Sequence, residues 1–302
     1  MRTLKNRSAR YLADALKNNS TLVTLDLSCN CISKIDVKVL MDALQSNSTL
    51  TTLNLSHNEI DVDGIKNIAN TLQNNIALKI LSIDWNKITN TGIQHLADAL
   101  EKNTILTTLN LQMNDIDDTG AQYLANALVH NSTLTTLNLS KNKIDAIGIR
   151  YIANTLSNNT GLKMLDLWDN EISDVGAEHI ADALQNNSTL TTLNIGFNDI
   201  GDVGVQYLVN ALEKNTTLKS LDLGWNNIGD EGAQYLIRAF EKNSTLITIN
   251  LMENTLGSVG AQHIANVLQN NSTLKILLLR GNEIEDEGIT YFKNTLLNNS
   301  VR

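Results

Sequence analysis

The sequence predicts an α/β solenoid, a horseshoe with parallel strands on its concave face and helices on its convex face. Three observations predict it. A 28-residue period runs without a slip ten times through the 302 residues. Its marker is one asparagine column, from Asn30, Asn58 and Asn86 to Asn226, Asn254 and Asn282, each in the frame LxxLxLxxNxI. Within each period the apolar spacing changes from two, a strand, to the three-and-four pattern of a helix. Strict repetition at this length marks a stacked array in which each unit leans on its neighbours. A single domain over residues 1–302 is expected, with a partial N-terminal helix over 1–19 and repeats from about Leu22.

The repeat Leu190 to Thr217 shows the elements in order. Leu190, Leu193, Ile195 and Ile200 point inward, while Thr192 and Asn194 alternate outward. Gly204, Leu208, Ala211 and Leu212 form a helical stripe, with Asp202 placed as the N-cap. The same slot holds Asn90, Asp118, Asp174, Asp230, Ser258 and Asp286, and Glu213-Lys214-Asn215 closes the helix on a polar loop. Strands stack about 4.8 Å apart and helices are about 10 Å across, so the two layers must curve. The asparagine column is assigned to the fold, because an amide both donates and accepts where the chain leaves the strand. The glycine column, including Gly204 and Gly232, lets each helix start lie close to its neighbour. No phosphate-binding glycine motif occurs.

Bulk composition bounds function. The formal net charge is −9, which argues against a nucleic-acid or anionic-membrane partner. No run of 18 apolar residues exists. Met1 to Arg10 lacks a secretory apolar stretch, so a cytoplasmic location is expected. Cys29 and Cys31 read as free thiols, since a bridge between them is awkward and a second pair for zinc is missing. The chain has no proline. No cofactor is expected. Asn-x-Ser/Thr triplets such as Asn47-Ser48-Thr49, Asn131-Ser132-Thr133 and Asn243-Ser244-Thr245 recur with the period and read as turn residues rather than glycan acceptors. The tyrosines and His95, His179 and His263 share one helix column and read as a half-buried packing stripe.

The frame LxxLxLxxNxI followed by DxGAxxLAxALxxN resembles the ribonuclease-inhibitor-like class of leucine-rich repeat. Its wording, as from Asn215-Thr216-Thr217-Leu218 to Asp230-Glu231-Gly232-Ala233-Gln234-Tyr235-Leu236, is most similar to the repeat regions of NOD-like receptors. The resemblance runs from about Leu22 to Asn299. It implies binding of other proteins on the concave sheet and its rims. The receptors' nucleotide-binding and effector domains are not in this chain. The first repeat departs from the pattern, with Val37 in the glycine position, and dedicated end caps are not evident. Either the end helices serve, or the chain is a piece of a longer array.

The variable columns carry the functional expectation. In the first repeat the concave positions are Thr24, Asp26 and Ser28, with Cys29 at the strand-exit rim. The first two columns are mostly threonine, then Asn or Asp. The third and fourth vary, and all three tryptophans lie in them. Trp168, Phe197 and Trp225 fall in consecutive repeats and would touch at strand spacing; Trp85 stands three repeats earlier. Exposed aromatics beside acids match the composition of binding hot spots. The predicted protein-binding set is Asp84, Trp85, Met113, Asp166, Trp168, Asp169, Phe197, Asp222, Trp225, Met252 and Glu253. Across the four columns the acids are Asp26, Asp84, Asp166, Asp169, Asp222 and Glu253, against Lys141 and Arg280, which favours a basic protein partner.

A non-catalytic interaction scaffold is therefore the leading expectation. Catalysis has little behind it: Cys29 and His57 are one repeat apart and lack a third member. A GTPase-activating role, known in the related Ran GTPase-activating protein, would need a rim arginine, and arginine is scarce. An immune-sensor fragment or a pathogen protein acting in a host cytosol are further alternatives.

Overall fold

A computed structural model describes residues 6–299. It divides into two compact units, Met1–Lys143 and Ile144–Arg302. The described part of the first runs α1 (Asn6–Asn18), β1 (Thr24–Asp26), α2 (Lys34–Leu44), β2 (Thr52–Asn54), α3 (Val62–Leu72), β3 (Ile80–Ser82), α4 (Asn90–Leu100), β4 (Thr108–Asn110), α5 (Asp118–His130) and β5 (Thr136–Asn138). The second runs α6 (Ala146–Leu156), β6 (Met164–Asp166), α7 (Ser173–Asn186), β7 (Thr192–Asn194), α8 (Asp202–Leu212), β8 (Ser220–Asp222), α9 (Asp230–Lys242), β9 (Thr248–Asn250), α10 (Ser258–Leu268), β10 (Ile276–Leu278) and α11 (Asp286–Asn299). In each unit consecutive strands pair in parallel with a register of 28, as Thr24↔Thr52 and Thr192↔Ser220, and consecutive helices pack side by side.

The apolar columns fill the space between the layers. In the repeat of β7 and α8, Leu190, Leu193, Ile195, Ile200, Leu208 and Leu212 are all buried. The strands are only three residues long for a local reason. The side-chain oxygen at the third strand residue accepts from the N–H two residues on: Asn194 Oδ1 from Gly196 at 3.1 Å, Asp222 Oδ1 from Gly224 at 2.9 Å, Asn250 Oδ1 from Met252 at 2.9 Å. That bond draws the backbone out of strand geometry.

The asparagine column then holds the turn, and each member serves two repeats. Asn198 is buried; its Oδ1 accepts from Asn170 N at 3.1 Å and Ile172 N at 3.4 Å in the preceding repeat. Its Nδ2 donates to Leu167 O at 3.0 Å and to Gly196 O at 2.8 Å. Asn142 does the same for the first unit, accepting from Asn114 N and Ile116 N, both at 3.0 Å. A second asparagine column closes the helix ends. Asn47, Asn131 and Asn243 are buried, and their Nδ2 groups donate to Leu16 O, Leu100 O and Leu212 O at 2.7–2.9 Å. These are the glycan-type triplets, and the nitrogen a glycan would use is committed inside the fold.

The helix starts differ from the expectation by one residue and one repeat. The N-cap of α8 is Gly201, not Asp202, and those of α9 and α10 are Gly229 and Gly257. Glycine has no capping side chain, so the preceding repeat supplies one. Asp174 Oδ1 accepts from Gly201 N at 2.7 Å and Gly204 N at 3.0 Å. Asp202 does this for Gly229 and Gly232, at 2.7 and 2.9 Å, and Asp230 for Gly257 and Gly260. The carboxylate occupies the space where a Cβ on Gly204 or Gly232 would stand, 2.6 and 2.5 Å away, and along the column the side chain four residues earlier comes as close, as Ile60 does at Gly64 and Ile172 at Gly176, which is why the column is glycine. Where the N-cap is itself aspartate, as at Asp61, Asp117 and Asp145, its side chain caps its own helix, and Asp117 N in addition donates to Asn90 Oδ1 of the preceding repeat at 3.2 Å.

The helix column of aromatics and histidines is half-buried as expected at Tyr123, Tyr151, Tyr207, His95 and His179, whereas Tyr11 is exposed.

Two outcomes are expected. Asn198→Ala removes the acceptor of the Asn170 and Ile172 N–H groups, while Leu167 O keeps Asn170 Nδ2 and Gly196 O keeps Asp169 N, and should lower stability by about 2 kcal/mol or more in urea unfolding. Asp202→Ala should cost about 1 kcal/mol and should speed amide exchange at Gly229 and Gly232 in α9, sparing the start of α8.

Candidate functional site

The strand-exit rim is built by a backbone conformation that the side chains there do not favour. All ten fourth-column residues have positive φ, among them Trp85 (53°), Met113 (54°), Asp169 (56°), Phe197 (55°), Trp225 (57°) and Glu253 (53°). Gly281 (76°) is the one glycine among them. Left-handed backbone costs an L-residue about 1 kcal/mol, and a bulky residue is the least expected there. The conformation is held by the inter-strand ladder, which continues past the strands: Phe197 N donates to Gly224 O at 2.9 Å and Trp225 N to Met252 O at 2.7 Å. The left-handed turn throws the fourth-column side chain outward at the rim. Trp85, Met113, Phe197 and Trp225 are exposed, while Trp168, Asp169, Met252 and Glu253 are half-buried.

In the second unit three of these side chains meet. The rings of Trp168 and Phe197 lie 5.5 Å apart, tilted by 35°, and those of Phe197 and Trp225 lie 6.0 Å apart, tilted by 54°. Neighbouring aromatic rings in this range attract. The floor beside them is bare backbone. Gly196 and Gly224 stand in the third column, and a Cβ on Gly196 would lie 2.9 Å from Trp168 Cδ1 and 3.2 Å from Asp222 Oδ1. With Gly224 O at 2.8 Å as well, an indole edge, a carboxylate and a carbonyl close in over Gly196 too tightly for a methyl group.

The first unit has a separate patch. His57 meets Trp85 edge to face, with centroids 5.5 Å apart. Cys29, His57, Asp84 and Trp85 line an open depression of about 530 Å³. Asp84 Oδ1 accepts from Asn110 Nδ2 at 2.8 Å and from Ser56 Oγ. Cys29 and Cys31 are free and exposed. Among the described residues, no group of three His, Cys, Asp or Glu side chains is placed to hold a metal ion. No helix among them is long and apolar enough to cross a membrane.

The second-column acids have a structural duty beside their charge. Asp26 accepts from Ser28 N at 2.8 Å and Asp166 from Trp168 N at 3.0 Å, the same turn bond that Asn194 and Asn250 make. An amide oxygen does this as well as a carboxylate, so the charge on Asp166 and Asp222 is surplus to the fold. Its surroundings make it unfavourable at Asp166. The Ser28 N–H holds the exposed Asp26 carboxyl below the ordinary range. Asp166, with a like bond, is pushed above it, first by desolvation, against the pull of Trp168 N–H, and further by repulsion from Asp222.

Ten segments, residues 18–41, 46–69, 74–97, 102–125, 130–153, 158–181, 186–209, 214–236, 242–265 and 270–293, match the family model described as Leucine Rich repeat. The chain belongs to the leucine-rich repeat family. No curated protein matches it. Among solved structures it is similar to the one titled "Crystal structure of Rad7 and Elc1 complex in yeast", at 16% identity and a TM-score of 0.61, covering 96% of this chain and 70% of that one. A second, "Leiomodin-1 Actin-Binding Site 2 (ABS2)", is 25% identical over 49% of this chain and 86% of that one, with a TM-score of 0.42. The first likeness shows the fold.

Because folding raises the Asp166 pKa, the folded chain binds that proton more tightly than the unfolded one. Stability is therefore lost as pH rises from the unfolded to the folded value, and the ionised group destabilises at neutral pH. Asp166→Asn keeps the acceptor for Trp168 N–H and should raise Tm by about 1–3 °C at pH 7. The gain should vanish below about pH 3, where both proteins are neutral at this position.

Proposed function

We propose that this chain is a non-catalytic protein-binding scaffold of the ribonuclease-inhibitor-like class, gripping a partner protein along its strand-exit rim. One observation carries the reading. Trp168, Phe197 and Trp225 form a continuous aromatic strip, exposed at its last two members, and Phe197 and Trp225 sit in left-handed backbone where glycine or asparagine would be preferred. Ring contacts offset part of that backbone cost yet leave Phe197 and Trp225 about half exposed. Strained residues retained at a surface motivate a functional hypothesis, and tryptophan is the side chain most enriched at binding hot spots. Repeat arrays offer extended surfaces for such contacts.

Asp166, Asp169, Asp222 and Glu253 surround the strip with negative charge, and Met252 continues its apolar edge. The partner is therefore a basic protein, and nucleic acid and anionic membrane are disfavoured by the same charge. Asp84, Trp85 and Met113 form a secondary patch on the first unit. The proposed setting is the cytoplasm, where Cys29 and Cys31 stay reduced.

Trp168→Ala combined with Trp225→Ala should remove a partner from affinity capture, with the circular dichroism and Tm of the chain little changed. Full retention of every captured partner by the folded double variant would refute the rim assignment.

A further inference from the structure

The aromatic strip and the surplus acids of the second unit select a more specific occupant, on the reading that the strip is a protein-binding surface. We infer that Trp168, Phe197 and Trp225, together with Asp222 and Asp166, receive an arginine side chain of the partner protein. Its guanidinium plane lies on the aromatic strip, and its N–H groups point to the carboxylates on the strand side.

Charge gives the first argument. Asp166 and Asp222 lie two strands apart on β6 and β8, near enough to repel. Asparagine serves the same turn at Asn194 and Asn250 without that repulsion. A cation from outside would relieve it. In the two variable columns the basic residues are Lys141, one repeat before Asp169, and Arg280, two repeats beyond Gly224. The carboxylates also keep acceptor capacity. Asp222 takes Gly224 N–H and the amide of Asn250 at 2.9–3.0 Å. Asp166 Oδ1 takes Trp168 N–H, and its Oδ2 takes no hydrogen bond among the described residues. A carboxylate has about four acceptor sites.

Ring geometry then separates arginine from the other cations. A caged methylammonium needs rings standing apart around a gap. Here neighbouring rings touch, at 5.5 and 6.0 Å, and are tilted by 35° and 54°. They present faces rather than a slot, with Phe197 45% and Trp225 51% exposed. Arginine is planar, weakly hydrated, stacks on aromatic faces and offers a fork of donors to carboxylates; lysine does none of these as well. The space over Gly196 and Gly224 is already filled, by Gly224 O, Trp168 Cδ1, Asp222 Oδ1 and the Asn250 amide, so the incoming stem lies over the rings rather than beneath them.

The chain has three tryptophans, so its indole N–H signals can be assigned in the full protein with single Trp→Phe variants. The probe is the peptide acetyl-Gly-Arg-Gly-Arg-Gly-amide, with lysine and citrulline versions beside it. The arginine peptide should shift the Trp168 and Trp225 signals saturably below about 10 mM. The lysine peptide should bind about threefold or more weakly, and the neutral citrulline peptide should not saturate. Asp222→Asn, folded by its dispersed spectrum, should weaken the arginine peptide by about fivefold or more; Asp166→Asn, which keeps the turn bond, should also weaken it. No saturable shift, equal binding of lysine or citrulline, or indifference to both acid substitutions overturns the inference. If the peptide fails while capture still depends on Trp168 and Trp225, arginine is wrong and the scaffold reading stands. If the peptide binds while capture ignores both tryptophans, the reverse holds.

Discussion

Every repeat of this protein depends on an amide that it shares with its neighbour. The turn after each strand buries backbone N–H and C=O groups that no regular element can satisfy, and such groups are costly to leave unpaired. One asparagine answers two N–H groups of the repeat before it and carbonyls on both sides, as Asn198 does with Asn170, Ile172, Leu167 and Gly196. Only a side chain that both donates and accepts can fill this position. The bond spans 28 residues, so the period cannot drift without breaking it. The strict repeat in the sequence is the trace of that requirement.

The same turn determines where the variable side chains stand. Once the asparagine fixes the turn, the residue before it is forced into left-handed backbone and its side chain points away from the core. That position lies outside the apolar core and varies widely in chemistry, although its backbone disfavours large residues. Finding Trp225 and Phe197 there, rather than glycine as at Gly281, is a choice made against local preference. Asp166 tells a parallel story one column away: its carboxylate does a job an amide would do, at the expense of desolvation and repulsion. Both features lower the intrinsic comfort of the fold at the same surface.

Much of this was legible in the sequence. Period two turning to a helical stripe gives strand and helix, and the asparagine column gives the turn. The contact among Trp168, Phe197 and Trp225 follows from strand spacing alone, because their register is fixed by the repeat. Three things were not legible. The positive φ of the rim is invisible when bulky residues occupy it, since glycine is the usual signal. The acids of the second column were read as display, whereas each first accepts a local N–H, as Asp26 does from Ser28. Asp202 sits in a good cap position for its own helix, and nothing within one repeat reveals that Gly229 and Gly232 of the next are its actual donors.

That last arrangement gives the array a grammar of succession. A repeat opening on Gly201, Gly229 or Gly257 is incomplete unless the unit upstream carries an acid 27 positions earlier. A repeat opening on Asp61, Asp117 or Asp145 brings an acceptor of its own, even where, as at Asp117, the backbone N–H also reaches the unit upstream. Units of the two kinds are not interchangeable tiles. Gene-level shuffling or duplication would succeed when a glycine-opening unit is copied together with its predecessor, and would leave a frayed helix when it is copied alone. The order of repeats is thereby constrained in one direction along the chain, from donor of the acid to its recipient.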